Sequence, residues 1–294
     1  MRRKRWYERE EIKRATKDWV DLNCKLTERE AELLQLIYDR KLVRRDYLEV
    51  ISPSYRNLGK NRSLILNRAI NKLFKLNIID KVHEAMDIGK GNSPAVIAID
   101  KCGSIILGVT HRKRIIHKYT EHGGKLYLKR ELPINHRHIN CVNRLEVETI
   151  LLCEEYGYKI LEWQLEKANT FTYQNEDNIL IPDVLLVLQA FDEKLPIYIE
   201  YDTGTEGIRE KEPRAIKDKI LKYKRFKLSN IWVEQEWQNH FDNPIFPLIL
   251  FVTEDEKRID FFKKKSNEHN VKSLSIYYDK YSNVLSELIK MMTK

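Results

Sequence analysis

Residues 179–202 read ILIPDVLLVLQAFDEKLPIYIEYD, and this stretch decides the fold of the second half of the chain. Two apolar runs, at 179–188 and 196–201, are rich in Ile, Val, Leu and Tyr and are bounded by turn residues. Runs of this kind predict strands of a buried or half-buried sheet. The two runs are therefore expected to be strands in the sheet of the second half.

Helices and further strands are expected on both sides of this pair. The pattern predicts helices at 143–155, 213–226, 256–265 and from 281, and strands at 160–163, 245–253 and 271–278. Helix, strands, helix, strand and helix in this order indicate a three-layer α/β arrangement with a mixed sheet.

Acidic side chains lie on the two central strands. Glu200 and Asp202 are two residues apart, so they project from the same face of their strand, and Asp183 on the neighbouring strand can complete a carboxylate cluster. Such a cluster suits Mg²⁺ or Mn²⁺, which take oxygen ligands and can promote hydrolysis of a phosphodiester. The alternative is that these carboxylates cap turns or pair with nearby lysines.

The first half has a different pattern. Thr27 followed three residues later by Glu30 is a capping box that begins a helix, and further helices are predicted near 44–50 and 62–76. Two short apolar strands then flank a turn rich in Gly and Asn, which predicts a β-hairpin. Three helices followed by a hairpin are typical of a winged helix, an α+β fold, over residues 27–110.

Positive charge is concentrated in this half. Residues 1–130 contain 30 Lys and Arg against 16 Asp and Glu, whereas the remainder contains 23 against 28, so the net charges are +14 and −5. A basic half predicts a polyanionic partner, and double-stranded DNA is the partner that a winged helix favours. We expect these residues to contact DNA: Arg44, Arg45, Arg56, Lys60, Arg62, Arg68, Asn71, Lys72 and Lys90. A protein-interaction module with a solvated basic face is the alternative.

The 294-residue chain is predicted to have four parts: a basic arm at 1–26, the winged helix at 27–110, a basic linker at 111–139 and the α/β domain at 140–294. Four widely spaced cysteines and a start without an apolar run predict a cytoplasmic protein. The longest apolar run is too short to cross a membrane.

Pro182-Asp183 followed by a strand carrying Glu200 resembles the PD-(D/E)XK nuclease superfamily over residues 140–280. The resemblance implies Asp183, Glu200 and Asp202 as metal ligands and catalytic residues. Where that superfamily places lysine two residues after the glutamate, this chain has Asp202. A lysine from the following helix can take its place, as in some branches of the superfamily, and Lys219 is preferred because it shares a helix face with Tyr223.

The chain also resembles the plasmid replication-relaxation family over most of residues 27–260. The match is carried by the segment IPDVLLVL…IYIEYDTGTEGIREK…KDKILKY, and its polar members are Glu200, Asp202, Gly204, Thr205, Glu206, Lys219 and Tyr223. The resemblance implies a protein of a plasmid or mobile element that acts in replication or DNA processing.

Two functions follow from the sequence. The chain is either a metal-dependent DNA endonuclease or nickase, or an inactive nuclease-like DNA-binding regulator such as a repressor or a replication accessory factor. Both predict binding to duplex DNA, and both allow a homodimer, because winged helices often read paired half-sites. Replication or mobilisation proteins are the partners that the family resemblance implies.

Overall fold

The structure is a computed structural model that describes four ranges of the chain: 15–84, 93–122, 125–204 and 216–292. The chain divides into two compact units, residues 1–143 and 144–294, and each is described by itself. In the described ranges, none of the helices has both the length and the apolar character needed to cross a bilayer.

The first unit contains helices and a three-stranded antiparallel sheet with the strand order β1-β3-β2. Its elements before residue 110 are α1 (Lys17–Asn23), α2 (Glu28–Asp39), β1 (Val43–Arg44), α3 (Arg45–Ile51), α4 (Pro53–Arg56), α5 (Arg62–Lys75), β2 (Ile79–His83), β3 (Ala95–Ile99) and α6 (Lys101–Ile106). The predicted strands are thus present and paired, with Ile79 opposite Ile99. The predicted contact residue Lys90 lies outside the described residues.

Local signals explain the helices of this unit. Thr27 Oγ1 accepts a hydrogen bond from the backbone N–H of Glu30, and the Glu30 carboxylate accepts one from the N–H of Thr27, so the predicted capping box is confirmed. The apolar faces of α2 and α5 are buried, as their periodicity predicts. Gly103 on α6 fits tightly, since a Cβ there would lie 2.3 Å from the carbonyl oxygen of Ile78.

Residues 111–139, predicted as a linker, contain an antiparallel hairpin of β4 (Ile116–His122) and β5 (Lys125–Glu131). The buried carboxylate of Asp80 on β2 contacts both strands: His117 Nε2 lies 2.5 Å and Arg130 Nε 2.9 Å from its oxygens. The side chains of His117 and Asp80 are buried and that of Arg130 is mostly buried, so a polar network around Asp80 attaches the hairpin to the rest of the first unit. Helix α7 (His136–Tyr156) follows and runs across the boundary between the units.

The second unit is built around a five-stranded mixed sheet with the order β12-β11-β10-β9-β6. Its strands and helices are β6 (Lys159–Leu165), β7 (Asn169–Tyr173), β8 (Glu176–Leu180), β9 (Val184–Ala190), β10 (Glu193–Asp202), α8 (Ile216–Ser229), β11 (Leu248–Thr253), α9 (Glu256–Glu268), β12 (Ser273–Tyr277) and α10 (Tyr281–Met292). Strands β10, β11 and β12 are parallel, whereas β6, β9 and β10 pair antiparallel. The predicted mixed sheet is confirmed.

The predicted strand at 179–188 is two strands. It breaks between Leu180 and Val184, and its first part pairs with β7 in a separate hairpin. Pro182 lies in this break, where a residue without an N–H donor interrupts no ladder. The break therefore places Asp183 immediately before β9.

Both faces of the central strands are buried. On one face, Tyr198 of β10 and Phe251 of β11 belong to an apolar cluster with residues of α8 and α9, including Tyr223, Phe226 and Phe262. The alternate residues of these strands are also inaccessible to solvent. A polar side chain on the first face must therefore find its partners on α8 or α9.

Candidate functional site

Asp183 and Glu200 meet across two neighbouring strands. The antiparallel register places Val184 opposite Ile199, so the next opposed positions along the two strands are Asp183 and Glu200. Asp183 is fixed by its neighbours, because its Oδ2 accepts a hydrogen bond from Tyr201 N at 2.7 Å and its carbonyl oxygen accepts one from Glu166 N at 3.1 Å. The structure thus brings together two of the three predicted carboxylates.

Helix α8 supplies both partners of the buried Glu200 carboxylate. Lys219 Nζ lies 2.6 Å from Oε2, and the Tyr223 hydroxyl donates a hydrogen bond to Oε1 at 2.5 Å. Glu200 is 1% exposed, whereas the Lys219 side chain keeps about a quarter of its surface accessible, at 24%. Residues 219 and 223 are one helical turn apart, so both reach the same strand. The lysine chosen from the sequence is therefore at the carboxylate, and its catalytic role stays a prediction.

The surroundings of Glu200 change its ionisation. Burial raises its pKa to about 7; the ammonium of Lys219 opposes the rise, and the neighbouring carboxylate of Asp183 adds to it. Burial, followed by the charge of Glu200, raises the pKa of Tyr223 well above its usual value, so its hydroxyl remains a donor. Near neutral pH the Glu200 carboxyl is balanced between two protonation states, and added positive charge would favour the ionised one.

Asp202 has a different partner from the one expected. Arg258 of α9 contacts both of its oxygens, with Nε on Oδ2 and Nη2 at 3.1 Å from Oδ1, and Gly204 N donates to Oδ1 at 3.0 Å. Asp202 is 5% and Arg258 3% exposed, so the ion pair is buried. Asp202 lies on the face of β10 that the sequence predicts, but it points to α9 and not to the Asp183–Glu200 pair.

The expected cluster of three carboxylates is therefore reduced to two. Among the described residues, no group of three or more His, Cys, Asp or Glu side chains is placed to hold a metal ion. Arg258 was not a sequence candidate, because its helix reads EKRIDFFKKKSNE and nothing in that pattern distinguishes one cation from the others. Its burial alone identifies it.

Several basic residues predicted to contact DNA are engaged within the first unit. Arg44 forms two hydrogen bonds to the carboxylate of Asp46, at 3.0 and 2.7 Å. Arg45 joins α3 to α5, since it pairs with Glu49 and donates to Asn67 Oδ1 at 2.9 Å. The remaining engaged residues of the predicted set are Arg56, which donates to the carbonyl oxygen of Val50, Asn71, which accepts from Lys81, and Lys72, whose ammonium lies 2.6 Å from the Glu30 carboxylate.

Other cations on this unit face solvent. Lys60 and Arg68 are exposed and have no hydrogen-bond or ion-pair partner in the part of the chain that the structure describes. Arg62 is 44% exposed and lies 3.7 Å from Glu49, a weak contact. Lys75, which is not among the predicted DNA contacts, is also exposed on α5. Three of these open cations, Arg62, Arg68 and Lys75, thus lie on α5 at spacings of six and seven residues, and Lys60 lies just before the helix.

These observations define a class of protein: a chain with one basic α+β unit and one mixed-sheet unit that carries a buried carboxylate–lysine site. The replication-relaxation family model matches residues 34–240, and the chain belongs to that family. Membership supports a role in replication or DNA processing.

Two solved structures match the chain at a low level of similarity. The protein VC1899 from Vibrio cholerae is 14% identical, with 91% of this chain and 57% of that chain covered and a TM-score of 0.30. The restriction endonuclease FokI bound to DNA is 10% identical, with 90% and 70% covered and a TM-score of 0.31. This chain thus spans little more than half the length of the Vibrio protein. No curated protein matches it.

Proposed function

We propose that this chain is a DNA-binding protein of replication or DNA processing that cleaves a phosphodiester of DNA with Mg²⁺ or Mn²⁺ at Asp183, Glu200 and Lys219. The observation that carries this proposal is the contact of 2.6 Å between Lys219 Nζ and Glu200 Oε2, on the strand position next to Asp183. Two carboxylates and a lysine are the chemical groups of the PD-(D/E)XK site, and here the lysine comes from α8.

The residues fit the metal. Mg²⁺ is commonly bound through one or two carboxylates while it keeps several waters, and Asp183 and Glu200 offer such a pair. When bound, the metal polarises the phosphodiester and makes a water more acidic. Asp183 is half-buried, whereas Glu200 is fully buried and accepts a hydrogen bond from the Tyr223 hydroxyl. Lys219 keeps positive charge where negative charge develops on the phosphate.

The first unit supplies DNA binding in this proposal. The order α2, β1, α3, α5, β2, β3 and the sheet order β1-β3-β2 support a winged helix in which α5 is the recognition helix. The exposed, unneutralised cations of α5 and the residues before it support contacts to the phosphates of duplex DNA. The second unit, with its middle sheet buried on both faces, is the three-layer nuclease-like part.

Nicking of supercoiled plasmid tests the proposal. With Mg²⁺ or Mn²⁺ we expect the wild type to convert supercoiled to open-circular plasmid, and we expect Asp183→Asn, Glu200→Gln and Lys219→Met each to reduce the rate at least about a hundredfold, as loss of a group acting only in the transition state requires. Glu193→Gln, an exposed carboxylate at the other end of β10, is the matched control and should cleave as the wild type does. Cleavage that survives Asp183→Asn or Glu200→Gln would assign the activity elsewhere.

A DNA-binding regulator without cleavage is the second candidate. The observation that favours it is the Asp202–Arg258 ion pair, because an aspartate neutralised by arginine stands where the superfamily places its lysine. This candidate predicts that the wild type binds duplex DNA with a salt-dependent affinity and leaves the plasmid supercoiled at every metal concentration.

A further inference from the structure

Residues 111–130 form a strongly basic segment that the proposed function does not use. The segment reads HRKRIIHKYTEHGGKLYLKR and contains seven Lys and Arg against one acidic residue. Its first four residues, 111–114, which we call the HRKR segment, precede the β4–β5 hairpin.

The HRKR segment is anchored at both ends. Ile115 directly after it is 1% exposed and belongs to an apolar cluster with Leu42, Val96 and Ile139. At the other end, His111 Nδ1 lies 3.1 Å from the hydroxyl oxygen of Ser104 on α6. The four residues therefore cross the surface of the first unit in a fixed position, although they belong to no helix or strand.

Within the segment, Arg112 and Lys113 are exposed and Arg114 is partly exposed. In the described ranges none of these three cations has a hydrogen-bond or ion-pair partner. By contrast, Lys118 and Lys129 of the hairpin share the carboxylate of Glu131, at 2.5 and 2.7 Å. Phosphate can bind the HRKR segment without displacing a carboxylate, so this segment is the available part of the basic stretch.

The hairpin that follows connects this region to α5. Arg130 of β5 lies with its guanidinium 5.5 Å from the centre of the Phe74 ring, and Lys81 Nζ lies 4.8 Å from the same ring. Lys81 donates a hydrogen bond to Asn71 Oδ1 at 2.9 Å, and Asn71 lies on the exposed side of α5. Partly buried contacts thus join the hairpin to the helix whose open cations are proposed to bind DNA.

We propose that the HRKR segment is a second phosphate-binding surface of the first unit and contacts the backbone of the same DNA duplex as α5. This role rests on the proposed DNA binding. Three cations without a described partner, in a segment anchored at both ends, can contact the regular negative charge of a duplex backbone. They would add affinity without reading sequence.

The salt dependence of binding tests the segment. The double variant Arg112→Ala/Lys113→Ala removes two exposed side chains that have no hydrogen-bond or ion-pair partner among the described residues, so its fold should be unchanged. For a fluorescent duplex titrated between about 50 and 300 mM salt, we expect the slope of log K against log salt to fall by about two and the affinity at about 0.15 M salt to fall on the order of thirtyfold. The matched control is Lys17→Ala/Lys101→Ala, which removes two exposed lysines from α1 and α6 and should change the slope by less than about 0.5.

The arms of the experiment separate the two proposals. Wild type that fails to bind any duplex overturns the proposed DNA binding and the segment's role with it. Wild type that binds, with a slope for Arg112→Ala/Lys113→Ala equal to that of the control pair, overturns the segment alone. Tighter binding of duplex RNA than of duplex DNA, lost in the same variant, overturns DNA as the ligand of the segment.

Discussion

The buried Asp202–Arg258 pair allows a prediction of stability that also decides the role of Asp202. In Arg258→Met, the Asp202 carboxylate, which is 5% exposed in the wild type, loses both guanidinium contacts. Removing one partner of a buried ion pair typically costs about 3–5 kcal/mol, because the remaining charge is left without compensation. We expect this loss in the second unit.

The assay is urea unfolding of the full chain followed by tryptophan fluorescence, since Trp163, Trp232 and Trp237 lie in the second unit. With a slope near 2 kcal/mol per molar urea, the loss in Arg258→Met corresponds to a midpoint lower by roughly 1.5–2.5 M. The double variant Asp202→Asn/Arg258→Met should recover much of it.

A double-mutant cycle between residues 202 and 258 tests the structural role of the ion pair. The two single variants and the double variant should show a coupling free energy of about 2 kcal/mol or more between residues 202 and 258. Additive effects, or a cost below about 1 kcal/mol for Arg258→Met, would contradict a structural role for this pair. Asp202→Asn that folds normally but loses Mn²⁺ binding would return Asp202 to the list of metal ligands.

Three further predictions concern the other features of the two units. Arg68→Ala should lower the salt slope of duplex binding by about one, whereas Lys72→Ala, on the same helix but paired with a carboxylate of α2, should leave it unchanged in the same titration. Because burial raises the pKa of Glu200 to about 7, its protonated form stabilises the folded chain. This contribution of about 3 kcal/mol is fully present below about pH 4.5 and is lost as the pH rises through about 7. Urea unfolding should show this loss in the wild type and not in Glu200→Gln. Gly103→Ala should lower the unfolding free energy by about 1–3 kcal/mol, because the added Cβ meets a backbone carbonyl oxygen, while Lys101→Ala on the exposed side of α6 should leave the thermal midpoint in place.

Some of the site could be predicted because it follows from short-range geometry. The alternation of a strand puts Glu200 and Asp202 on one face, and helical spacing puts Lys219 and Tyr223 together. Each of these two predictions depends only on the residue spacing within a single strand or helix. The mixed sheet followed in the same way from apolar runs and turn residues around Asp183.

The rest depended on contacts between distant parts of the chain. Asp202 and Arg258 are 56 residues apart, and the pairing of Arg45 with Asn67 joins two helices. The β4–β5 hairpin lacked a strand signal because residues on both of its sides, such as Lys118 and Tyr119, are exposed, so no alternation of polar and apolar residues marks it. The spacing of apolar residues in the sequence shows which face of an element is buried, but it does not show which distant residue a polar side chain contacts.

The double attachment of Glu200 to one helix has a mechanical consequence. Lys219 contacts one carboxylate oxygen and Tyr223 contacts the other, so the carboxylate cannot rotate about its terminal C–C bond without losing one of these two contacts. If the proposed metal ion binds here, it meets a carboxylate whose plane is already set, so the side chain would lose little further rotational entropy. Because both donors lie on α8, a rigid shift of this helix would move the Lys219 ammonium and the Tyr223 hydroxyl together and so change the orientation of the Glu200 carboxylate.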